Sequence, residues 1–223
     1  VNIINSTFLR NRLNEYSELF YINYGDLVFN NVSVSENFLY KGIFVELFES
    51  ARIILNKLNF TYNTLEGYGA HFVYSVRQAS VLGEMIVSYN IFNVSASLMS
   101  LYDLTSFKLN NFMVTGNSLF GTYIESNVAT TLITGAQSIF NLTNAYFKNN
   151  YIESNAVMLL SQTKTTFNII NCTFKYNSIY NATFFIGAVR SLEYYQPYSE
   201  IDIPATPNNT KIVLRNTIID TNY

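Results

Sequence analysis

Carboxylates, one imidazole, one thiol and a cluster of tyrosines are the residues of this chain that could do chemistry. Hydrolysis of a glycan needs two carboxylates facing each other across the bond. A calcium-dependent elimination needs several acids on one metal with a base nearby. The candidate acids are Asp26, Glu36, Glu66, Glu84, Glu153 and Asp220, and the only imidazole is His71. These acids fall at different places in the pattern described below, and His71 has no acid beside it in sequence, so a structural place in a strand is expected for it. No catalytic, cofactor or metal site is expected. Cys172 is the only thiol, which excludes a disulfide within the chain and reads as a small core residue. Tyr194, Tyr195 and Tyr198 stand beside Glu193, Glu200 and Asp202, a grouping suited to a glycan or a partner surface. The alternative for that segment is a loop folded over apolar surface.

Sequons for N-glycosylation begin at Asn5, Asn31, Asn59, Asn93, Asn141, Asn171, Asn181 and Asn208. Asn208, Asn181 and Asn93 are the best acceptors, because Asn5, Asn31 and Asn171 fall in a column whose side chains are needed for structure. Asn59 and Asn141 fall in strands.

What must position these groups is a repeat. Asn11, Asn37, Asn63, Asn90, Asn117, Asn150, Asn177 and Asn222 are spaced 26, 26, 27, 27, 33, 27 and 45 residues apart. A period in the twenties is the signature of a solenoid. Counting back from each asparagine, positions −10, −8, −5 and −3 are apolar or small, with Ser80 the exception at −10 and Leu82 the residue at −8 of its repeat. The pairs are spaced by two, the strand period. A second asparagine column lies at −6, where Lys57 and Glu84 are the exceptions. Each repeat therefore reads as strand, asparagine corner, strand, asparagine corner, strand.

This predicts an all-β chain, a right-handed parallel β-helix of about eight coils with asparagine ladders. Asparagine tolerates the left-handed backbone of a tight corner, and its amide both donates and accepts. The competing fold is a leucine-rich-repeat solenoid, whose L-x-x-L-x-L-x-x-N-x-L pattern fits Leu55–Leu65. Against it stand the apolar column at −10 rather than −11, the asparagines at −6, and Phe, Val and Ile rather than Leu at +7 to +9.

The run Ile170-Asn171-Cys172-Thr173-Phe174-Lys175-Tyr176-Asn177, followed by Gly187-Ala188-Val189, resembles the F-x-x-N and G-G-A-[ILV] repeats of pectin-lyase-like β-helices. The nearest of these are chlamydial polymorphic outer-membrane protein repeats and large ciliate surface proteins. F-x-x-N recurs at Phe8–Asn11, Phe60–Asn63, Phe147–Asn150 and Phe174–Asn177, whereas the Gly-Gly half survives only as Gly42-Ile43 and Gly187-Ala188. The resemblance implies a structural or adhesive surface protein.

Composition agrees with one rod over 1–223 and insertions near 121–137 and 191–210. Apolar residues make up 49% and charged residues only 13%, while 30 asparagines supply much of the polarity. Net charge is −2 without a basic cluster, so nucleic acid is not an expected partner. No apolar run is long enough to span a membrane as a helix. The chain opens inside a strand and closes at a corner, which leads to the expectation of a piece of a longer protein, stacked through open coil ends on further copies or segments. The functional expectation is a non-catalytic structural or adhesive module, extracellular or at a cell surface, that meets glycans or surface proteins. The alternatives are a polysaccharide-binding or degrading enzyme and an intracellular scaffold segment.

Overall fold

The computed structural model describes residues 1–121, 130–154, 156–161, 165–180, 182–186 and 211–220. Every described element is a strand, and every pairing between strands is parallel. The strands form one 13-stranded sheet and two 7-stranded sheets, which together make a parallel β-solenoid of about six turns. The leucine-rich-repeat alternative is excluded: the described residues form three parallel sheets and no helix, and strands such as Ile43–Leu47, His71–Ser75 and Ser97–Leu101 stand where that fold would be irregular or helical.

The apolar columns become the core. Leu27, Ile53, Phe107, Phe140 and Phe167 stack in one file, and Val34, Phe60, Val87, Val114, Phe147 and Phe174 in another, all within 1% of complete burial. Phe140 stacks on Phe167, and Phe147 on Phe174, each pair with ring centroids 4.5 Å apart. Burial of each large side chain is worth about 1.5–3 kcal/mol.

The buried asparagines do the polar half of the work. In each of six steps from Asn11 to Asn177, the Oδ1 of one asparagine accepts both the main-chain N–H and the Nδ2 of its counterpart one coil earlier, at 2.8–3.1 Å. The second Nδ2 hydrogen goes to the carbonyl three residues before the counterpart asparagine of the previous coil, for example Asn117 to Val87 and Asn150 to Val114. A buried amide thereby satisfies its donors and its acceptor at once, as burial of a polar group requires.

The two asparagine columns divide the roles that the sequence assigns to both. From Asn37 to Asn177 the inner column is buried and has ordinary φ. The left-handed corner lies one residue earlier, at Arg10, Glu36, Tyr62, Tyr89, Gly116, Asn149 and Tyr176, with φ between 54° and 66°. Those residue types share no chemistry, so nothing in the sequence marks them. The outer column, at −6, is left-handed itself: Asn5, Asn31, Asn111, Asn144, Asn171 and Asn216 have φ between 47° and 55°. Its side chains are exposed and zip loosely, Asn31 to Asn5 at 2.9 Å and Asn171 to Asn144 at 3.5 Å.

One coil departs from the expected register. Val81, not Ser80, pairs with Ile53 and Phe107, and Gly83, not Leu82, pairs with Leu55 and Leu109. The corner after Gly83 is one residue shorter than its neighbours, so counting back from Asn90 misplaces both columns by one. Ser80 is therefore no exception in the core, since Val81 fills that place with no exposure at all. A Cβ on Gly83 would collide with the Leu55 carbonyl oxygen, and φ is +128°, so only glycine fits. Of the first expected insertion, near 121–137, residues 122–129 lie outside the described residues, between strands Ser118–Phe120 and Thr131–Gly135. The second, at 191–210, lies outside the described residues.

Candidate functional site

The acids that looked scattered in sequence are mostly engaged across coils. Arg52 grips Asp26 with two bonds of 2.7 Å, Arg10 meets Glu36, and Lys175 meets Asp220. Arg77 to Glu49 and Lys41 to Glu15 repeat the arrangement. Each pair joins neighbouring coils and is largely exposed, so solvent screening leaves each a small contribution to stability. The Arg52 pairing lowers the Asp26 carboxyl below its ordinary value. Glu153 accepts a hydrogen bond from its own coil's Tyr151 hydroxyl, three coils from Glu66.

A titratable cluster does form on the third sheet, the 7-stranded one that holds Ile43–Leu47 and His71–Ser75. Glu46 and Tyr74 are adjacent in one column, which Ser100 and Thr134 continue, while His71, Ser97, Thr131 and Val157 align in the column three residues earlier along the strands. Burial, reinforced by a hydrogen bond to Glu18, pushes the Glu46 carboxyl up to about 7. Burial also raises the Tyr74 phenol and lowers the His71 imidazole to about 4, a hydrogen bond to the Ser97 backbone partly offsetting the latter. The His71 ring stacks on Tyr74, and its Nδ1 lies 3.2 Å from the Ser100 hydroxyl. Sequence reasoning found His71 but missed the Glu18–Glu46 pair and Ser100, because their contacts join different coils.

Ser100 beside His71 has the outline of a nucleophile and its base. Two features speak for packing instead. Ser100 is 1% exposed, and His71 leans on a backbone carbonyl where a triad would place a carboxylate. The same columns continue as Ser97–Thr131, whose hydroxyls sit 2.6 Å apart. Among the described residues, no three His, Cys, Asp or Glu side chains converge to hold a metal ion.

A second feature is the short corner of the Gly83 coil. Asn56, Lys57, Leu82, Glu84, Lys108 and Asn110 surround Gly83 in an open groove of about 560 Å3. Both exceptions of the outer asparagine column, Lys57 and Glu84, lie here.

Of the sequon residues, Asn93 ends the strand Ile91–Asn93 and is half-buried, with its carbonyl accepting the Gly67 and Ala96 amides. Asn208 and Asn181 lie outside the described residues, as do Tyr194, Tyr195 and Tyr198. Cys172 is buried and its thiol is pushed up by that burial, in keeping with a core role. No described helix could cross a membrane.

No protein-family model matches the chain, and no curated protein matches it. The parallel β-solenoid with buried asparagine ladders is what the structure establishes.

Proposed function

We propose that this protein is a non-catalytic structural or adhesive module of a cell-surface or extracellular assembly, akin to the right-handed pectin-lyase-like surface repeats whose motifs it resembles. The observation that carries this reading is the destination of its polar groups. Buried amides run coil to coil through the inner ladder, and exposed charges pair coil to coil on the outside. That investment favours a stiff rod over a convergent reaction centre. Glycans or surface proteins are its partners.

Glycopeptide mass spectrometry on the protein purified from its native source tests the placement. Hexose-bearing peptides containing Asn208, Asn181 or Asn93 are expected. Bare asparagine at all eight sequons would count against a secreted module and favour the scaffold alternative.

A further inference from the structure

The groove at Gly83 is the place where the solenoid breaks its own rule. In the preceding coil, Asn56 and Lys57 separate Leu55 from Leu58; in this coil only Glu84 separates Gly83 from Met85. The omitted residue leaves the notch, and Gly83, pressed on the Leu55 backbone, holds it open. The outer asparagine zipper is interrupted at the same two coils. Lys57 takes a ladder place with φ +60°, and the Glu84 carboxylate accepts Asn111 Nδ2 at 3.1 Å. Lys57 and Lys108 form no ion pair among the described residues, whereas five other cations have a carboxylate within reach on a neighbouring coil. A net-negative protein thus presents two unpaired ammonium groups, amides and one acceptor around a preformed hollow.

We propose that this notch binds an acidic saccharide, Lys57 and Lys108 taking its carboxylate or sulfate and Asn56, Asn110 and Glu84 taking its hydroxyls. Ammonium groups serve as point charges for an anion, and amides donate and accept together, as hydroxyls demand. The hollow falls in the size range of small-ligand sites. Leu82 offers an apolar contact, and no aromatic ring lines the groove for a nucleobase to stack on. The proposal deepens the adhesive reading, on which it rests for its glycan partner.

The test is isothermal titration of the full chain with three probes: a hyaluronan tetrasaccharide bearing carboxylates only, a sulfated galactan tetrasaccharide bearing sulfates only, and neutral maltotetraose. At least one acidic probe binds, and the stronger of the two identifies the anion. Maltotetraose binds at least about tenfold more weakly, and each of Lys57→Ala and Lys108→Ala costs about tenfold. Raised salt weakens binding. A variant with one asparagine inserted after Gly83, restoring the corner length of its neighbours, folds and loses binding. Unchanged affinity in a variant carrying both Lys57→Ala and Lys108→Ala places the glycan elsewhere, overturning the notch but sparing the adhesive reading. Failure of both acidic probes, or preference for a single-stranded oligonucleotide through the same lysines, overturns the proposal as well. The glycopeptide experiment judges the adhesive reading separately.

Discussion

Replacing Asn117 with alanine removes one rung from the middle of the inner ladder. Asn117 is fully buried, and its Oδ1 accepts the Asn90 main-chain N–H at 3.0 Å and Asn90 Nδ2 at 2.9 Å. Its Nδ2 donates to Asn150 Oδ1, Val87 O and Thr115 O. In the variant, Asn90 Nδ2 keeps the Phe60 and Ser88 carbonyls, and Asn150 Oδ1 keeps the residue-117 main-chain N–H. The Asn90 N–H keeps nothing. One orphaned buried donor costs about 1–3 kcal/mol, and the weakened neighbours add about 1 kcal/mol, for a total of about 2–4 kcal/mol. Asn11→Ala is the control, because Asn11 is exposed and Asn37 Oδ1 still holds the residue-11 main-chain N–H; its loss should stay under about 1 kcal/mol. Urea unfolding at constant m-value reads both. Equal losses, or an Asn117→Ala loss below about 0.5 kcal/mol, would refute the reasoning that the ladder carries stability through satisfied buried amides.

Gly83→Ala should destabilise by about 3 kcal/mol or more, since its Cβ meets backbone, whereas Gly25→Ala, with open space around a φ of +95°, should cost only about 1 kcal/mol; thermal melts compare them. The Glu46 carboxyl titrates higher in the folded state than unfolded, so its contribution is full below about pH 4.5 and fades as pH rises toward 7. His71 titrates lower when folded, so its contribution is full above 6.5 and fades as pH falls toward 4. These slopes oppose each other: Glu46→Gln should make stability rise with pH between 4 and 6.5, and His71→Gln should make it fall between 4.5 and 7, both by urea midpoint. Cys172 should resist alkylation in the native protein and react once unfolded, as read by mass.

The repeat frame, the core columns and the inner ladder were legible because each coil repeats the same demand at the same offset. Phe107, Phe140 and Phe167 are the clearest case, a file of rings that the −10 column displays directly. The left-handed corner at Arg10, Glu36 and Tyr62 was not legible, because backbone geometry there is imposed by the buried asparagine that follows and not by the residue itself. The Gly83 coil misled for a related reason. A one-residue deletion leaves apolar Leu82 where a core residue is expected, and only the pairing to Leu55 shows which residue faces inward. Glu18 and Glu46 lie in different coils, and their meeting depends on how the third sheet stacks. The Lys57 and Glu84 exceptions could be seen in the sequence; that they border one hollow could not.

Hydrogen exchange of the asparagine side-chain amides, resolved residue by residue by NMR, tests the ladder most directly. Nδ2 protons of Asn63, Asn90, Asn117 and Asn150 should exchange orders of magnitude more slowly than those of the exposed Asn5 and Asn31, with protection set by opening of the coils. Exchange of the inner amides at the same rate as Asn5 and Asn31 would contradict the account.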